Sequence, residues 1–297
     1  MKKDTKTVQL RKWLIGFTGW CDAGNVVNNM VEHILSVTEA QKLDEWDLES
    51  YWHIESERPY VVIKHGLIRN FAWPAMSFYR LESKGKEIGL ALSAEPSRNW
   101  KHFAKELIER IEAYGGKQVI MAGSLYDKIF HDETIISGVV LDPESLNLVL
   151  SAGCKLVEYE GPAAVHTAVM EEARRRGIVA ISLWIHVPFY LKGPHEKAMA
   201  QLLDVLGRIS GVFFDTGDLL DRWAVRVKNI EKILEEDEEL RSVLEALKEK
   251  EKEEKSPSKA LPATSSMTTT PAKPKVIRID EFIRRRKGPS EGDFYNE

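Results

Sequence analysis

The segment GFTGWCDAGN, residues 16 to 25, carries the residue types of a small-molecule or anion site. An apolar run, Trp13 to Phe17, enters it as a strand. A helical pattern leaves it near Asp22, with Val26, Val27, Met30, Ile34, Leu35 and Val37 at helical spacing. A strand that passes through a glycine turn into a helix can offer backbone N–H groups and a helix N-terminus to a ligand. Gly16, Gly19, Trp20, Asp22 and Gly24 are therefore the candidate pocket residues. The segment is neither GxGxxG nor a Walker loop, because no Gly-Lys-Ser/Thr follows to supply a phosphate-binding lysine. Asp22 also has a structural reading as the N-cap of the helix, where its carboxylate accepts backbone N–H bonds and would repel a phosphate beside it.

Elsewhere the chemistry-bearing residues are scattered. The eight histidines, at 33, 53, 65, 102, 131, 166, 186 and 195, show no HExxH or paired ligand spacing, and Cys21 and Cys154 stand apart. No metal and no cofactor is expected. His131, Asp132, Glu133 and His186 fall near the expected C-terminal ends of strands, where α/β sheets place ligands; a structural hydrogen-bonding role competes with that reading. Ser124 in AGSLY and Ser182 in ISLW follow strands, but neither lies in GxSxG. Glu158 and Glu160 flank a tyrosine in VEYEGP and would share one face of a strand. No complete catalytic constellation is legible, which points toward a binding protein.

These residues need a frame. Beyond the first strand and helix, Tyr60 to Ile63 and Leu67 to Trp73 read as strands around a turn at His65-Gly66. Ser77 to Leu81 and Ile88 to Leu92 do so around Lys84-Gly85. A helix after Pro96 places Phe103, Leu107, Ile108 and Ile111 on one face and stops at Gly115-Gly116. Then come a strand from Gln118 to Ala122, a strand from Lys155 to Tyr159, a helix from Pro162 to Arg176 and a strand from Ile178 to Ile185. Strands alternating with helices imply an α/β fold with a mainly parallel sheet and flanking helices. From Pro194 the pattern is helical, over Glu196 to Ile209 and Thr216 to about Glu254, as a C-terminal helical cap suited to a subunit contact.

Of the 297 residues 43% are apolar, enough for a sizeable core, and no run is long enough to cross a membrane. The opening residues lack the apolar stretch of a signal peptide, so a cytoplasmic protein is expected. The formal charge is −4, with 8 basic and 5 acidic side chains in residues 256 to 297, so that stretch is +3 and residues 1 to 255 carry −7. Nucleic acid is an improbable partner for such a body. Residues 256 to 275 contain 15 Ser, Thr, Pro or Ala out of 20, the composition of a disordered linker. VIRIDEFIRRRK then regains apolar residues, including Phe282 and Ile283, as a docking element or as a helix folding back on the body. The expected organisation is an α/β body over 1–193, a helical extension packed on it over 194–255, the linker at 256–275 and a tail at 276–297.

The blocks GFTGWCDAGN, Arg58-Pro59, Trp73-Pro74, AGSLYD at 122 to 127, YEGP at 159 to 162 and SLWIHVPFYL at 182 to 191 together resemble the archaeal and bacterial branch of the proteasome assembly chaperone 2 family, over roughly residues 11 to 215. The resemblance adds Glu160, Gly161 and Pro162 to the motif residues. It implies a fold similar to purine nucleoside phosphorylases, a homo-oligomer, and proteasome α subunits, or another protein complex, as partner without catalysis. An older label for some relatives, a carboxylate-amine ligase of the ATP-grasp type, finds neither its lysine pair nor its metal-binding carboxylates here; a small-molecule binder or enzyme using the glycine turn is the alternative. Some relatives dock a hydrophobic-Tyr-any C-terminus between α subunits. This chain ends Phe294-Tyr295-Asn296-Glu297, the right order with one residue too many, which moves a terminal carboxylate by roughly 3 Å.

Overall fold

The computed structural model describes residues 9–55, 58–191 and 193–238, together with 241–242 and 245–246. β1 (Lys12–Thr18) alternates between two cores: Trp13, Ile15 and Phe17 point to one face of the sheet and Leu14 to the other. Both faces are covered, so the strand reads as one continuous apolar run rather than as apolar and polar in turn. A 3₁₀ turn, Ala23–Asn25, leads into α1 (Val26–Val37), so the helix begins four residues later than the sequence pattern suggests. The delay has a local cause: Gly24 and Asn25 both take positive φ, which no α-helix tolerates.

β2 (Glu39–Asp47) follows, then the hairpins β3 (Tyr60–Lys64) with β4 (Leu67–Ala72) and β5 (Ala75–Ser83) with β6 (Lys86–Ala94). α2 (Trp100–Ala113) crosses to β7 (Gln118–Asp127). β8 (Ile136–Val140), α3 (Pro143–Ser151), α4 (Val165–Arg175), β9 (Val179–Pro188), α5 (Glu196–Ser210) and α6 (Gly217–Glu236) complete the order. The seven-stranded sheet runs β2-β5-β6-β1-β7-β9-β8. Its centre, β6-β1-β7-β9, is parallel as expected, while β5, β2 and β8 close the two sides antiparallel. α1, α3 and α5 pack on one face around Leu14, Ile120, Leu183 and Leu203. α2 and α4 pack on the other around Trp13, Phe17, Phe103 and Val169.

Two expectations need correction. The segment Lys155 to Tyr159 is not a strand: Lys155 makes one bridge to Ser137, and the chain then leaves the sheet with Leu156, Val157 and Tyr159 exposed. The helix placed at Pro162 starts at Val165, whose N–H is accepted by the Glu95 carboxylate at 2.9 Å. The helical stretch read from Thr216 to about Glu254 is interrupted at Asp237, whose backbone is extended, and the described residues Glu238, Arg241, Ser242, Glu245 and Ala246 are helical again. The last buried residue of α6 is Ile233, and Glu235 and Glu236 sit in its last turn, where the helix dipole disfavours negative charge. The tail residues Phe282, Ile283, Phe294, Tyr295 and Asn296 lie outside the described residues. Among the described residues no helix is long and apolar enough to cross a membrane.

Candidate functional site

β1 is the point where the strand order reverses, since the chain continues first to the β6 side and later to the β7 side. Open α/β sheets bind ligands outside the C-terminal ends of the strands at such a point. A cavity of about 1330 Å³ opens there, bounded by the glycine turn, the ends of β7 and β9, β8, and the loop before α4.

The turn forms one wall. Gly19, Trp20, Asp22 and Gly24 line the cavity, whereas Gly16 does not. Gly16 is buried under α1, and a Cβ there would stand 2.8 Å from Val27 Cγ1, so its role is close helix–strand packing. Gly24 is needed for itself: its φ is +67°, and a Cβ would stand 2.6 Å from the ring of His195. Asp22 is a helix cap in substance. One carboxylate oxygen accepts the Val27 N–H at 2.7 Å and lies 3.1 Å from the Ser124 hydroxyl, while the other accepts the Asn28 N–H at 3.1 Å. Burial pushes its pKa above the ordinary carboxylate range against the opposing pull of those N–H groups. The same bonds consume the donors that an anion would use, so the turn is not a phosphate cradle.

The motif YEGP contributes less than expected. Pro162 lines the cavity, but Glu160 and Gly161 do not, and all three are exposed. The Tyr159 hydroxyl donates to the Pro162 carbonyl at 2.9 Å, and a Cβ on Gly161 would stand 2.6 Å from that hydroxyl oxygen, so the glycine makes room for a local turn.

The floor of the cavity is polar. On β9, Ser182, Trp184 and His186 share one face. The Ser182 hydroxyl oxygen lies 2.8 Å from His166 Nδ1 and accepts the Trp184 indole N–H at 2.9 Å. His166 is 2% exposed, its Nε2 has no hydrogen-bond partner, and burial pushes its pKa down to about 3. At the other end His186 reaches both neighbouring strands. Its Nδ1 lies 2.7 Å from Asp127 Oδ2 on β7, and its Nε2 lies 2.5 Å from Ser137 Oγ on β8. The second oxygen of Asp127 accepts the Lys128 N–H at 2.7 Å. Sequence reasoning places His186 at a strand end but misses Ser137 and the part played by Asp127. No linear spacing carries this cluster, because the register of three strands assembles it. Ser124 and Ser182, the serines that the sequence singles out, support Asp22 and His166 instead.

His131 and Glu133 lie outside the cavity. The His131 N–H donates to the Tyr190 hydroxyl at 2.9 Å, and Glu133 accepts the Phe130 N–H at 3.0 Å. Among the described residues no group of three His, Cys, Asp or Glu side chains could hold a metal ion.

This architecture, a three-layer α/β domain with its cavity at the switch point, has known relatives. The model of the PAC2 family matches residues 16–234, and the chain belongs to that family. Among solved structures it is similar to a proteasome-assembly chaperone homologue from Mycobacterium tuberculosis, at 26% identity and a TM-score of 0.71 over 78% of this chain and 98% of that one. A PAC2 family protein from Streptomyces avermitilis matches at 27% identity and a TM-score of 0.66, over 73% and 94% of the two chains. PbaB of Pyrococcus furiosus, an archaeal proteasome activator, shares the fold at 16% identity and a TM-score of 0.59, over 76% and 94%. A search of curated proteins finds no match.

Proposed function

We propose that this chain is an assembly chaperone or adaptor whose partners are proteasome-type α subunits, acting in the cytoplasm as a homo-oligomer and without catalysis in that role. One observation carries the reading: this chain of the PAC2 family is similar to a protein described as a proteasome-assembly chaperone homologue, over 98% of that protein's length. The surface supports it. β3 and β4 form a two-stranded sheet of their own on which Tyr60, Val61, Ile63, Leu67, Ile68 and Phe71 are exposed. Two strands alone are marginal in water, and an apolar ribbon of this kind gains stability when a protein partner covers it. In this reading residues 1–193 are the binding body, 194–255 the helical extension, and 256–275 a tether for docking segments in 276–297 that include Phe282, Ile283, Phe294, Tyr295 and Asn296. A tether raises the local concentration of such segments without new contacts on the body.

The test is affinity capture from the source cytosol, with the full chain compared with a version ending at Lys255. Recovery of α subunits by the full chain and their loss on truncation supports both the role and the tail. Recovery by both forms assigns binding to the body, and recovery by neither, where intact proteasomes are present, refutes the role.

A further inference from the structure

The cluster Asp127–His186–Ser137 plays no part in the chaperone reading, and its arrangement is that of an activated nucleophile. We propose that Ser137 is the nucleophile of an acyl-transfer site that takes esters with an apolar or aromatic portion. Three features carry the inference. First, the order of contacts is correct: carboxylate to Nδ1, then Nε2 to hydroxyl, at 2.7 and 2.5 Å. A carboxylate oxygen accepts the Nδ1 proton, which leaves Nε2 bare to take the proton of Ser137. Second, the carboxylate is itself fixed, since its other oxygen accepts the Lys128 N–H. Third, all three side chains line the same cavity, whose walls include Trp184, Val139, Val157 and Met170, and whose volume of about 1330 Å³ is ample for an ester of this kind. Ser137 is 1% exposed overall and meets the outside through this cavity. A hydroxyl hydrogen-bonded merely for structure needs neither an orienting carboxylate nor an apolar chamber.

The chemistry balances with water as the second reactant. Ser137 Oγ bonds to the ester carbonyl carbon as its proton passes to His186 Nε2. The imidazolium, steadied by Asp127, returns that proton to the departing alkoxide oxygen as the C–O bond breaks, leaving an acyl-Ser137 and a free alcohol. A water then gives a proton to Nε2 and adds to the acyl carbon, the bond to Ser137 Oγ breaks with return of the proton, and the acid leaves. Ester plus water becomes acid plus alcohol.

The experiment uses the full chain, a fluorophosphonate probe with peptide mapping by mass spectrometry, and p-nitrophenyl butyrate as reporter ester. The expected adduct sits on Ser137. Ser137→Ala abolishes it, and His186→Gln slows both labelling and ester hydrolysis by roughly 10²- to 10⁴-fold. Asp127→Asn slows labelling while far-UV circular dichroism stays that of the parent, which separates a chemical defect from misfolding. No adduct on Ser137 in folded protein, an adduct on another serine in its place, or equal labelling rates in parent and His186→Gln would overturn the proposal. None of these readouts requires an α subunit, so failure here and failure of the chaperone reading are separate results.

Discussion

His166 gives the sharpest quantitative prediction. Its ring is enclosed by Phe17 and Trp184, with centroids 5.6 and 4.8 Å away, and desolvation lowers its pKa from 6.5 to about 3. The folded protein therefore holds the imidazole neutral, whereas the unfolded chain takes up a proton below about 6.5. Stability is not penalised above that pH and is lost progressively as the pH falls toward about 3. The difference between the two pKa values corresponds to about 5 kcal/mol in full, at a limiting slope of about 1.4 kcal/mol per pH unit. The variant His166→Gln keeps a polar group near Ser182 and cannot titrate. Urea unfolding of parent and variant at one fixed protein concentration, at pH 7.5, 6.5, 5.5 and 4.5, isolates the effect. His195, Asp22 and Glu95 also have displaced pKa values, but their contributions are common to both proteins and cancel in the difference. The stability of the parent relative to the variant should be flat from 7.5 to 6.5 and then fall by about 1.4 kcal/mol per pH unit. Parallel curves across the whole range would refute the burial of a neutral His166 beneath the cavity.

Other consequences follow from the same contacts. Asp22→Ala removes the acceptor of two backbone N–H groups at the start of α1 and should cost about 2 kcal/mol in chemical denaturation, with Asp22→Asn costing less because an acceptor remains. Arg226 holds the 2%-exposed Glu196 through two contacts of 2.8 Å, so Arg226→Met leaves a buried carboxylate uncompensated and should lower stability by about 3 kcal/mol, read as a lowered unfolding midpoint. Cys21 and Cys154 are buried, and burial pushes the Cys154 thiol up to about 11 and Cys21 higher still. A colorimetric thiol reagent at pH 8 should react with them only after denaturant is added; rapid reaction in the native protein would contradict their placement.

Much of the fold is written in local pattern. The apolar run of β1, the glycine turn, the amphipathic faces of α1 and α2 and the Lys84-Gly85 hairpin all obey rules of spacing, and each forms where its residues indicate except that α1 starts late, at Val26. The edge strand β2 escapes notice because EAQKLDEWD has no apolar alternation. Of its residues only Trp46 is buried, and its pairing with β5 is a matter of sheet position. α3 carries a legible signal, Asp142 capping Ser145 ahead of an apolar pattern, that the sequence reading leaves unassigned. The cavity divides in the same way. Its glycine-turn wall is visible as a motif, whereas the contacts from Asp127 to His186 and from His186 to Ser137 span 59 and 49 residues and exist only through strand register. GxSxG is absent because Ser137 sits within a strand rather than at a strand-to-helix elbow.

Recognition of proteasome-type α subunits is tested by native mass spectrometry of the purified full chain mixed at micromolar concentration with the α subunits of its own organism. The expected spectrum contains a complex whose mass equals the chain, or its oligomer, plus one or more α subunits, with the population falling when exposed Ile68 and Phe71 of the β3–β4 ribbon are replaced by serine. Only the separate masses, under conditions in which those α subunits demonstrably assemble with one another, would contradict it.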